Sequence, residues 1–112
     1  MIEAYRFGRM QIDDGTYTAD VLVFPDRVKS DWWRLEGHKL SVEDLDEVLQ
    51  AKPEILVVGT GYYGLLKVLP ETAAHLQREG IRVIAEKTGD AYHTFNELSK
   101  AKRVVGAFHL TC

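Results

Sequence analysis

The rhythm of hydrophobic and polar positions changes about a third of the way along the chain. Before that point the apolar residues come in short stretches. Ala4 to Phe7 and Met10 to Ile12 are separated by Gly8, and Thr16 to Phe24 is rich in β-branched and aromatic residues. Such spacing predicts strands. Asp13-Asp14-Gly15 supplies turn residues between them, and Pro25-Asp26 ends the third run. Arg27-Val28-Lys29 adds a short strand, so this part reads as an antiparallel meander. Ser30 to Leu40 follows neither period and reads as an ordered loop.

From Ser41 onward the period lengthens. Ser41 and Asp44 resemble a capping box, Val42, Leu45, Val48 and Leu49 share one helical face, and Lys52-Pro53 ends that helix. Glu54 to Val58 and Ile81 to Ala85 are continuous apolar runs of the kind covered on both faces of a sheet. Gly59 to Leu69 reads as a loop. Pro70 opens a helix with Ala73 and Leu76 inward, and Gly80 closes it. Thr88 reads as the N-cap of a further helix packing through Ala91, Tyr92, Phe95 and Leu98. Arg103 to Leu110 is the final strand. Strand, helix, strand, helix, strand implies right-handed crossovers between parallel strands. The expected class is α/β: a layered domain around a mixed, partly parallel sheet, with an N-terminal antiparallel meander and about three helices. At 112 residues the chain has the length of a single domain, 1–112.

Charge narrows the partners. The net charge is −3, and the 14 Lys and Arg are scattered. The densest basic group, Lys100, Lys102 and Arg103, is too short to track a phosphate backbone, which argues against nucleic acid. No apolar run reaches membrane-spanning length, and polar residues appear by Glu3 and Arg6, unlike a secretory signal. Cys112 is the single cysteine, compatible with a reducing compartment. The expectation is a cytoplasmic protein with no membrane role.

Two regions carry candidate chemistry. Gly59-x-Gly61-x-x-Gly64 follows a strand, as in a dinucleotide fingerprint. Pro70, however, starts the next helix too late to hold a pyrophosphate at its N-terminus. The glycines read better as a tight loop at the sheet's carboxyl edge, and no cofactor is expected. Thr60, Gly61, Lys87, Thr88 and His109 converge on that edge, where a helix N-terminus beside a lysine suits a small anion. The second region is the loop bearing Asp31, Trp32, Trp33, Arg34 and His38. Its indoles and guanidinium serve either a recognition surface or the internal architecture of the loop. His109-x-x-Cys112 supplies only two soft ligands, so no metal site is expected. No nucleophile motif of the Gly-x-Ser-x-Gly or His-Glu-x-x-His type occurs.

Several of these residues together resemble the Mth-domain family of small α/β proteins. The resemblance rests on Tyr5-x-Phe7-Gly8, Asp20, Asp31-Trp32-Trp33-Arg34-x-x-Gly37-His38 and Gly59-Thr60-Gly61. Asn96-Glu97-Leu98 and His109-Leu110-Thr111-Cys112 complete it, in the same order across essentially the whole chain. It implies a mixed central sheet with one strand antiparallel to the rest, and no catalytic residue set. One mitochondrial member of that family is an assembly factor of respiratory complex I. The chain thus reads first as a non-catalytic binding or assembly module with a protein partner. The alternative is a small anionic-ligand protein or enzyme with its site at the carboxyl edge of the parallel strands. Any exposed sheet edge leaves self-association open.

Overall fold

The computed structural model describes all 112 residues. The N-terminal pattern folds into a small antiparallel sheet of β1 (Ile2–Arg6), β2 (Arg9–Ile12) and β3 (Gly15–Tyr17). It packs beside the main sheet instead of extending it. The run from Thr16 to Phe24 is not one strand. It breaks at Thr18–Asp20, and β4 (Val21–Val23) enters the main sheet, pairing with β5 (Val28–Lys29). At the break the chain leaves the small sheet for the main one, and the Asp20 carboxylate bonds Leu110 N–H and His109 Nδ1 near the far end of the chain.

The main sheet has the order β5-β4-β10-β7-β9, with β7 (Ile55–Thr60), β9 (Arg82–Glu86) and β10 (Val104–His109). β7 pairs in parallel with β9 on one side and β10 on the other, as continuous apolar runs require. β4 runs antiparallel to β10. Every residue of β7 and β10 is buried.

Alternation along these strands divides the interior in two. Leu22, Leu56, Val58, Val105 and Ala107 point to one face, which is covered by a 3₁₀ turn (Val42–Leu45), α1 (Asp46–Ala51) and α2 (Pro70–Arg78). Val21, Val23, Ile55, Val57 and Phe108 point to the other, under α3 (Thr88–Ser99) and the small sheet. The layers are therefore helix, sheet, then helix with small sheet. No helix is long and apolar enough to cross a membrane.

Two other local expectations change. Ser30 to Leu40 is not wholly irregular, because β6 (Lys39–Leu40) pairs in parallel with β8 (Lys67–Val68). Two-residue strands leave no period in a sequence, so the pattern could not reveal them. Thr88 is not the N-cap of α3. Lys87 takes that position, and the Thr88 side chain is fully buried in other bonds.

Candidate functional site

Beyond the carboxyl ends of β7 and β10 lies the segment Leu110–Cys112, and three separate parts of the chain are tied to it. Gly8 N–H donates to Leu110 O at 2.7 Å, and Tyr62 N–H donates to Thr111 O at 2.6 Å. Leu65 N–H reaches Cys112 O at 3.1 Å. Leu110 N–H donates to Asp20 Oδ1 at 2.8 Å. The Tyr5 hydroxyl adds a bond to Leu110 O at 2.8 Å. Burial, with the nearby Tyr62 and Asp20, pushes the Tyr5 hydroxyl up to about 12, so it stays a donor at ordinary pH.

Asp20 is the centre of the buried part. Its Oδ2 accepts from His109 Nδ1 and forms an ion pair with Arg34 Nη2, both at 2.8 Å. A carboxylate only accepts, so Nδ1 of His109 carries the hydrogen. Arg34 Nη2 lies 3.2 Å from the same Nδ1. That contact joins two donors and adds no bond. Arg34 also donates through Nε (3.3 Å) and Nη2 (3.0 Å) to Gly37 O, and its guanidinium lies over the Trp32 ring at 4.8 Å. The Arg34 and His109 side chains are 5% and 7% exposed. Burial alone would raise the Asp20 carboxyl. The bonds from His109 and Leu110, with the charges of His109 and Arg34, outweigh that and hold it below the ordinary value. Arg34 Nη1 and His109 Nε2 are buried with no partner in the protein.

The residues expected at the sheet edge do converge. The Thr60 hydroxyl donates to Glu86 O at 3.0 Å, and the Thr88 hydroxyl donates to His109 O at 2.7 Å while accepting Gly61 N–H at 2.9 Å. Thr88 N–H is also used, by Gly61 O at 3.1 Å. These groups thus clamp three strand ends together. Gly61 has φ +104, and a Cβ there would sit 2.4 Å from Cys112 C, so only glycine admits the crossing of the terminal segment. Lys87 stays exposed at the rim.

The tryptophan loop divides. Trp32 is buried and its Nε1 donates to Asp44 O at 3.0 Å, whereas Trp33 is 83% exposed. Asp31 is exposed at φ +55, and it is Asp20, 14 residues upstream of Arg34, that pairs with the guanidinium. His38 is exposed, with its ring edge-on to His109 at 5.7 Å.

Sequence reasoning missed the outer surface of this edge. Tyr62 contacts Tyr63 (5.0 Å between ring centres), Phe7 (5.9 Å) and Tyr5 (6.4 Å), and Phe7 lies 6.2 Å from Tyr63. Phe7, Tyr62, Tyr63 and Leu65 are 46–62% exposed. The signal in the sequence was large apolar residues in two glycine turns, where solvated loops carry small polar ones.

Residues 2–109 match the family model described as a protein of unknown function (DUF498/DUF598). The chain belongs to this family. Among solved structures it is similar to the conserved hypothetical protein PH1505 of Pyrococcus horikoshii, at 32% identity and TM-score 0.86. The match covers 100% of this chain and 99% of that one. It is also similar to the protein MT938, at 25% identity and TM-score 0.81, covering 100% and 98% of the two chains. A Mth938-like domain from Bordetella pertussis shares the fold at 24% identity and TM-score 0.70, covering 97% and 84%. The Mth-domain resemblance and the layered α/β fold read from the sequence both hold.

Proposed function

We propose that this DUF498/DUF598 chain is a non-catalytic protein-binding module whose docking face is the aromatic cluster Phe7, Tyr62, Tyr63 and Leu65. One observation carries this reading: the Phe7, Tyr62 and Tyr63 rings share a solvent-facing patch on a tightly tied frame, with exposed Leu65 in the same loop as the tyrosines. Isolated exposed apolar residues are ordinary, but a contiguous aromatic patch is the composition of interface anchors. Its backbone is held by bonds to Leu110, Thr111 and Cys112, so little ordering entropy is lost when a partner docks.

The anionic-ligand alternative draws less support. An anion at the strand ends would meet few free donors: the Thr88 hydroxyl, Thr88 N–H and Gly61 N–H are engaged within the protein, which leaves Lys87 at the rim and the buried Arg34 Nη1.

Photocrosslinking in the native host tests the proposal. A benzophenone amino acid at position 65 gives a discrete adduct of constant mass, and one at exposed position 78 on α2 does not. Adducts indistinguishable between the two positions, or none from position 65, contradict it.

A further inference from the structure

We infer that the partner presents an acidic segment to the aromatic face; this rests on the docking reading above and adds the chemistry of the occupant. Charge complementarity points to this chemistry. The chain as a whole is net negative, at −3. Four cations flank the segments that carry the aromatic cluster. Arg6 and Arg9 face each other as a cross-strand pair on either side of the Phe7–Gly8 turn. The Lys87 stem lies against Gly64, where an added Cβ would be 3.3 Å from its Cγ, and Lys67 follows Leu65 and Leu66.

All four cations are exposed, and none makes an ion pair within the chain. Two like charges directly opposite on an antiparallel pair destabilise the ladder. The Arg6–Arg9 pair is therefore kept at a cost to the fold. Glu86, which accepts from the Thr94 hydroxyl at 2.6 Å, and Asp90 in the first turn of α3 lie beside Lys87 along the chain, so the positive character of this rim rests chiefly on the Arg6–Arg9 pair. Aromatic anchors within an unpaired cationic rim match a segment that alternates apolar side chains with Asp or Glu. The apolar side chains supply burial, and the carboxylates steer the encounter and select the partner.

A random peptide library displayed on phage and selected against the wild-type chain provides the probe. Enriched peptides carry net negative charge and at least one large apolar residue. In fluorescence anisotropy their affinity falls about tenfold in Arg6→Glu/Arg9→Glu and falls again as ionic strength rises to the physiological range. Tyr62→Ala/Tyr63→Ala weakens them by a similar factor, and thermal melting confirms that both variants are folded.

Peptides that lose binding in Tyr62→Ala/Tyr63→Ala but are neutral or basic, and indifferent to Arg6→Glu/Arg9→Glu, overturn the acidic partner and leave the docking face standing. A selection that is the same on wild type and on Tyr62→Ala/Tyr63→Ala overturns both. Concentration-dependent dimerisation in sedimentation velocity that vanishes in Tyr62→Ala/Tyr63→Ala makes a second copy the occupant, and that too overturns the acidic segment.

Discussion

At the scale of single residues, Arg34 and Asp20 act through architecture. Arg34 holds the Gly37 carbonyl with two donors, pairs with a carboxylate that is largely out of water, and stacks on Trp32. Removing one partner of a buried pair leaves the other charge uncompensated, so Arg34→Ala lowers unfolding free energy by about 2–4 kcal/mol in urea titration. Lysine lacks the planar fork, and Arg34→Lys recovers little of that loss. His38→Ala removes an exposed ring and costs under about 1 kcal/mol.

Asp20 gives a pH signature with a definite sign. Its folded-state value lies below the ordinary 3.8, so the folded state favours the charged form. Its contribution to stability is fully present above 3.8 and is lost as pH falls through the lowered folded-state value. Asp20→Asn therefore melts below wild type at neutral pH, and the gap narrows in acid. A gap that is constant across pH, measured by calorimetry, contradicts the assignment. Little of this cluster was legible in the sequence. Arg34 and His109 stood out by residue type, but Asp20 and His109 are 89 positions apart and only the β4–β10 pairing brings them together.

Among the elements, legibility followed burial. β7 and β9 announced themselves as apolar runs and do pair in parallel, whereas β6 and β8 are two residues each and have no period to read. The glycine segment looked like a nucleotide fingerprint, yet its first two glycines answer to packing. A Cβ at Gly59 would lie 2.7 Å from the Phe108 ring, and Gly61 passes under Cys112. Gly61 and Gly80 make a controlled pair. Both have positive φ, but nothing lies within 4 Å of a Cβ at Gly80, whereas one at Gly61 meets backbone. Gly80→Ala thus incurs dihedral strain alone, about 1 kcal/mol, and Gly61→Ala costs about 2–4 kcal/mol by adding displacement of the terminal segment. Equal losses in denaturant titration would show that the crossing at Gly61 is not tight.

For the whole molecule, the two apolar layers consume nearly every large hydrophobic residue of the strands, which makes the leftovers informative. Phe7, Tyr62, Tyr63 and Leu65 are displayed at the same edge where Asp20, Arg34 and His109 lock the last strand. The buried cluster sets the position of the edge and the outer rings use it. That division of labour separates two properties that core residues cannot separate. The most direct measurement is the yield of the position-65 photoadduct from a Phe7→Ser/Tyr63→Ser chain, on protein whose unfolding has been measured alongside wild type. The expected result is that the adduct is lost while unfolding free energy stays within about 0.5 kcal/mol, as for exposed side chains outside the core. An adduct at wild-type yield, or a stability loss of about 2 kcal/mol or more, would mean that these rings serve the fold and not a partner.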